Sequence, residues 1–149
     1  ALQHRNKFKA VSLCEDPCLI TGVTNDLGFD NVYSEQLKYQ GNRDDILFAL
    51  SGSGNSRNIA AAMSMARSKN MKTVLMTRGD EFCKCAPYAD KIIKVSKEPS
   101  KFPGQTGGNN NNFHFEDCIY KLTHITVGLL KEYVAKEQDN SSTAPWDRP

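Results

Sequence analysis

No apolar stretch in this chain of 149 residues approaches the ~20 residues that a membrane-spanning helix needs. The opening ALQHRNKFK is too polar for the apolar region of a secretory signal. Membrane and secreted classes both lose ground. A long basic run is also missing: 19 basic side chains stand against 17 acidic ones, for a net charge of +2. That argues against nucleic-acid binding driven by charge, although a local basic site stays open. The paired CxxC knuckles of structural zinc are absent too. The five cysteines, Cys14, Cys18, Cys83, Cys85 and Cys118, make one CxxxC and one CxC with no neighbouring histidine. An odd count without a secretion signal reads as reduced thiols in a cytoplasmic protein. What is present is a globular profile, 39% hydrophobic and 24% charged, at the length of one ordinary domain with a real core.

Residues 9–13 (KAVSL) form a short β-like run, and Pro17 in the following CEDP suits the first turn of a helix over 18–24. Asn25-Asp26-Leu27-Gly28 reads as a turn, after which Asp30 caps an amphipathic helix over 32–39. Residues 46–50 (ILFAL) are a continuous apolar run of strand length, as expected of a strand covered on both faces. A Gly/Ser loop over 51–56 leads into an Ala- and Met-rich helix over 57–69. KTVLMT (72–77) is a second buried strand, a short helical patch lies around 82–86, and KIIKV (91–95) is a third strand. Strand, loop, helix and strand at this spacing predict βαβ crossovers and a parallel sheet. Residues 97–112 are a Pro/Gly/Asn stretch that reads as a mobile loop. Residues 115–135 repeat apolar side chains at three- and four-residue steps, which predicts one amphipathic helix, and 136–149 reads as a disordered tail.

The chemistry concentrates in ILFAL-SGSGNS-RNIAAAMSMARSK. A strand running through a Gly/Ser loop into a helix is an anion site on physical grounds. The N–H groups of the first helical turn point into the loop, the helix dipole favours negative charge, and glycines admit a ligand close to the backbone. The serine hydroxyls add donors without bulk, and the loop lies at the carboxyl end of a parallel strand, where open α/β sheets bind ligands. A plain Ser/Gly turn with Ser53 or Ser56 as helix cap is the bland alternative. A Walker A loop is excluded, since GxxxxGK[ST] is absent. The dinucleotide pattern GxGxxG is met only by Gly52 and Gly54, with Arg57 in the third position and Thr77-Arg78 where a ribose-binding carboxylate belongs. An NADP site using Arg78 is a remote third option.

Strand, SGSGNS, helix, then MKTVLMT and YADKIIKV together resemble the sugar isomerase (SIS) domain. Upstream, the run into NDLGF resembles the phosphoheptose isomerase branch of that family, and downstream HFEDCIYKLTHITVGLL resembles its final helix. The resemblance spans residues 8–135, read as one phosphosugar-binding domain. It implies a three-layer α/β sandwich, doubly wound, with a parallel sheet flanked by helices. It implies that Ser51, Gly52, Ser53 and Ser56 hold the phosphate of a sugar phosphate, and that Asn25 and Asp26 contact the sugar hydroxyls. It implies that His124 is a proton-transfer residue and zinc ligand, with Glu116 standing where the branch carries a glutamine that touches substrate and metal. Zinc is thus the implied cofactor, with no nucleotide cofactor. Members interconvert sedoheptulose 7-phosphate and a heptose aldose phosphate, in homotetramers with shared sites.

Two departures accompany the likeness. Nothing in residues 1–8 matches the family's GNGGSA-like loop or the histidine- and glutamate-bearing helix after it, so the chain is expected to lack the N-terminal strand and helices. Glu116 replaces a glutamine, and eight positions separate it from His124, a rise of about 12 Å on a straight helix. The expectation is therefore an aldose–ketose isomerase; the alternative is a non-catalytic SIS module that binds a sugar phosphate or a protein partner. Plainer readings also stand. His124 borders an apolar stripe, Glu116 favours the helix dipole, Asp26 shapes a turn, and Met63, Met65 and Met71 are packing residues.

Overall fold

A computed structural model of the chain describes residues 9–95, 103 and 112–141, with backbone only at 112 and 137–141. These fall into two compact units, one spanning Val11–Phe115 and the other containing the helical segment from Glu116 onward.

In the first unit, helix α1 (Pro17–Leu27) begins where Asp16 accepts hydrogen bonds from the N–H groups of Cys18 and Leu19, with Pro17 preset for the first turn. It runs three residues beyond the predicted end. Asn25 and Asp26 therefore lie in its last turn, and the break falls at Gly28, whose φ of 82° is open to glycine. A 3-10 turn (Phe29–Asn31) leads into α2 (Val32–Gln40). The predicted cap at Asp30 is not made: Asn31 occupies the cap position, and the Asp30 carboxylate instead lies 3.7 Å from the Arg57 guanidinium.

Strand β1 (Ile46–Leu50), helix α3 (Arg57–Ser68), strand β2 (Lys72–Thr77) and strand β3 (Lys91–Lys94) follow as predicted to within a residue. The sheet is wholly parallel in the order β1-β2-β3, with Leu50 opposite Met76 and Thr77 opposite Lys94. Between β2 and β3 the expected helical patch is a run of turns closed by a 3-10 turn (Ala86–Tyr88).

The core lies between the sheet and α3. Ala49, Met63, Leu75, Cys83 and Cys85 pack together, and Leu37, Ala62, Ala66 and Met71 form a second cluster toward α2. Met63 and Leu75 are wholly buried, each contributing about 1.5–3 kcal/mol by leaving water. One expectation fails at β1. Its alternate residues Ile46, Phe48 and Leu50 are 66%, 44% and 42% exposed, so this strand is covered on one face only. An apolar run cannot tell two covered faces from one covered and one open face.

The β-like run 9–13 also forms no strand; it is coil and turn, because no neighbouring strand in the described sheet pairs with it. Helix α4 (Asn112–Ser141), which belongs to the second unit from Glu116 onward, is longer than predicted at both ends and includes the first six residues expected of the tail. The stretch 97–112 lies outside the described residues except for Pro103 and the backbone of Asn112, as does 142–149. Among the described residues, no helix is long and apolar enough to cross a membrane.

Candidate functional site

The loop 51–56 is braced from within. Ser51 is buried, extends the sheet by donating its N–H to the Met76 carbonyl (3.1 Å), and accepts the Gly54 N–H on its Oγ (3.1 Å). Its hydroxyl also lies 3.2 Å from that of Ser56. Gly54 turns with φ of 70°, and a Cβ there would stand 2.4 Å from the Cys83 sulfur, so only glycine fits. Ser53 Oγ accepts the Asn55 N–H at 3.1 Å. Ser56 occupies the cap position of α3, yet its hydroxyl makes no capping bond. The plain-cap alternative therefore fails for Ser56, and the first-turn N–H groups keep their pull on an anion.

A second loop forms the opposite wall. Adjacent parallel strands release their chains at the same edge, so the residues after β2 meet those after β1. Arg78 N–H donates to the Gly52 carbonyl (3.2 Å), Cys85 N–H to the Gly54 carbonyl (2.9 Å), and Lys84 N–H to Asn55 Oδ1 (3.0 Å). An open cleft of about 260 Å³ results, lined by Gly52, Ser53, Asn55, Arg78, Gly79 and Asp80. Gly52 and Ser53 were expected here. Asn55 belongs to the expected loop without having been singled out, Gly79 and Asp80 were not expected, and Arg78 was considered only for NADP; the signal of these last three was the TRGD run closing β2. Below the cleft, burial and then the neighbouring Cys83 push the Cys85 thiol up to about 11, so it stays protonated at neutral pH. All five cysteines are free, none joined in a disulfide.

The remaining candidates lie elsewhere. Asn25 and Asp26 are exposed at the end of α1, bonded to each other at 2.9 Å, and do not line the cleft. Glu116 and His124 are exposed on α4, with eight positions and about 12 Å of rise between them. Among the described residues no three His, Cys, Asp or Glu side chains gather to hold a metal ion. Glu116 and His124 by themselves thus do not fit one zinc ion.

No protein-family model matches the chain. Individual relatives do. The chain is 44% identical over 137 residues to the phosphoheptose isomerase of Vibrio cholerae, an alignment covering 89% of this chain and 63% of that protein. It is 39% identical over 138 residues to that of Glaesserella parasuis, covering 90% and 63%. Among solved structures, a phosphoheptose isomerase from Neisseria gonorrhoeae superposes with a TM-score of 0.55 at 33% identity, over 60% of this chain and 50% of that one. One from Francisella tularensis gives a TM-score of 0.56 at 29% identity, over 74% and 59%. Over most of its length the chain is thus similar to phosphoheptose isomerases. It spans about three-fifths of the length of the curated relatives it matches. The α/β fold with its parallel sheet is the family's, as the SGSGNS loop and NDLGF run implied.

Proposed function

We propose that this chain carries the phosphate-binding part of an aldose–ketose isomerase acting on sedoheptulose 7-phosphate, with a heptose 7-phosphate as the other partner of the equilibrium. The observation that carries the reading is the braced loop 51–56, its Ser56 hydroxyl unspent on capping, at the carboxyl end of β1. Kinship with phosphoheptose isomerases supports the choice of substrate.

In this reading the backbone and hydroxyl groups of Gly52, Ser53 and Ser56 grip the phosphate, while Ser51 holds the loop's shape. Gripping the non-reacting end converts binding energy into orientation of the carbonyl end. Asn25 and Asp26 contact sugar hydroxyls. His124 takes the proton from the carbon beside the carbonyl, giving an enediol, and the same proton returns to the neighbouring carbon. Glu116, about 12 Å along the helix from His124 of the same chain, meets it only in a site shared between subunits, where it supplies the acid that moves the oxygen-bound proton in the opposite sense, so no redox partner is consumed. The active form is a homotetramer with shared sites. The cytoplasm is the compartment, supported by five free thiols.

The test is turnover of sedoheptulose 7-phosphate, with and without added zinc, for the wild type and His124→Ala. Loss of a proton-transfer group typically lowers turnover by about 10²–10⁴-fold, and that is the expected outcome. Ser53→Leu is expected to abolish binding by filling the loop mouth. Binding without turnover would instead identify a phosphosugar-binding module. Undiminished affinity for every sugar phosphate in Ser53→Leu would remove the loop from the site.

A further inference from the structure

The loop alone leaves a phosphate ester under-neutralised. A phosphate monoester carries close to two negative charges at neutral pH, whereas a helix N-terminus offers the equivalent of about half a positive charge. The cleft that the loop opens onto contains one cationic side chain, Arg78, among its six lining residues. Asp80 lines the same cleft, its carboxylate accepting the Phe82 N–H at 3.0 Å, and as a like charge it opposes an anionic ligand there, which adds to the positive charge the site needs. Arg57 at the start of α3 is an exposed residue lying 3.7 Å from Asp30.

The position of Arg78 is set by the loop itself. Its N–H donates to the Gly52 carbonyl, and the preceding Thr77 hydroxyl reaches the same oxygen at 3.4 Å. On the other side, Gly79 approaches so closely that a Cβ would stand 2.5 Å from the Ser53 carbonyl oxygen. The backbone at residue 78 is thus clamped against the two loop residues that line the cleft. The Arg78 Nε is shielded from solvent, so the guanidinium root is part of the cleft wall rather than a solvated surface group.

We propose that Arg78 is a phosphate-binding residue of this site, pairing through its planar fork with the phosphate held over Gly52 and Ser53, and that it sets the preference for a doubly charged ester. The inference rests on the phosphosugar reading above and adds to it a charge that the Ser/Gly loop lacks. Arginine suits the role because two parallel N–H donors match two phosphate oxygens, which a lysine point charge does not reproduce.

Calorimetric titration of the chain with sedoheptulose 7-phosphate, and separately with inorganic phosphate, tests it. Arg78→Gln should weaken both ligands by about 10–100-fold, the range for losing a charge-assisted contact, with Arg78→Lys between it and the wild type. The wild-type affinity should also fall as KCl is raised from about 50 to 500 mM, because screening acts on the ion pair. That arm needs no variant to fold. Affinity in Arg78→Gln within twofold of wild type, while Ser53→Leu abolishes binding, would overturn the role of Arg78 and leave the loop reading intact. Salt-independent wild-type affinity would overturn it as well. No binding by the wild type would overturn both.

Discussion

At Gly54, conformation and packing act on one residue. Its φ of 70° disfavours any side chain, and the Cys83 sulfur occupies the space a Cβ would take. Left-handed backbone costs an L-residue roughly 1–2 kcal/mol and overpacking about 1–3 kcal/mol more. Gly54→Ala should therefore lower stability by roughly 2–5 kcal/mol in a denaturant melt. Adding Cys83→Ala should recover the share of the packing cost due to the sulfur, while the Cys83 Cβ, 2.8 Å from the added methyl, and the backbone part remain. A double variant no more stable than Gly54→Ala would show that the thiol is not what excludes a side chain there. Cys85 supplies a chemical test of the same layer. Burial holds its pKa near 11, so its thiolate is scarce at neutral pH. Alkylation followed by peptide mass spectrometry should label exposed Cys14 and Cys18 in the native protein and reach Cys85 only once it unfolds.

The entry to β3 is pinned at the scale of the element. The Asp90 carboxylate accepts the Thr73 N–H at 2.8 Å, and Asp90 N–H donates back to Thr73 Oγ1 at 3.0 Å. The Thr73 N–H bond foremost, then the Thr73 hydroxyl donating to the same carboxylate oxygen at 3.1 Å, hold the Asp90 carboxyl below the usual carboxylate range, with Lys72 and Arg67 helping. A carboxylate with a lowered folded-state pKa stabilises the protein above its unfolded pKa of about 4 and loses that contribution as pH falls toward the folded value. Asp90→Asn keeps an acceptor and removes the charge. Its Tm should fall less steeply than that of the wild type below about pH 4; parallel acid limbs would mean Asp90 is not a source of the dependence. The same elements show what a sequence reveals. β1, α3 and β2 were legible because apolar runs and helical spacing are local properties. Residues 9–13 misled because a strand exists only with a neighbour, and Asn25-Asp26 misled because both residue types favour turns yet are admitted in a last helical turn. Half of the cleft was legible for a related reason. Glycines and serines announce a phosphate loop in one stretch, whereas Arg78, Gly79 and Asp80 join it only through a parallel pairing about two dozen residues away.

For the whole molecule, the decisive feature is apolar surface left in water. On α4, Ile125, Leu129 and Tyr133, four residues apart on one face, are 55%, 61% and 59% exposed. Each large apolar side chain gains about 1.5–3 kcal/mol on full burial, and a contiguous exposed stripe of this kind usually marks an interface. A second copy of the chain is the partner that the proposed oligomer supplies, and a symmetric pairing uses the same stripe twice. Light scattering behind size exclusion should accordingly return a mass that is a multiple of 16.6 kDa, falling with dilution. Leu129→Lys should shift the assembly toward monomer by at least about tenfold in dissociation constant, since a charge buried without a partner costs more than the methylenes it replaces contribute. Leu129 is exposed within the single chain, so the variant should keep its far-UV circular dichroism while its melting temperature falls only by the stabilisation that assembly supplies. A monomeric wild type at tens of micromolar would overturn the oligomer, and an unchanged mass in Leu129→Lys would move the interface off this stripe.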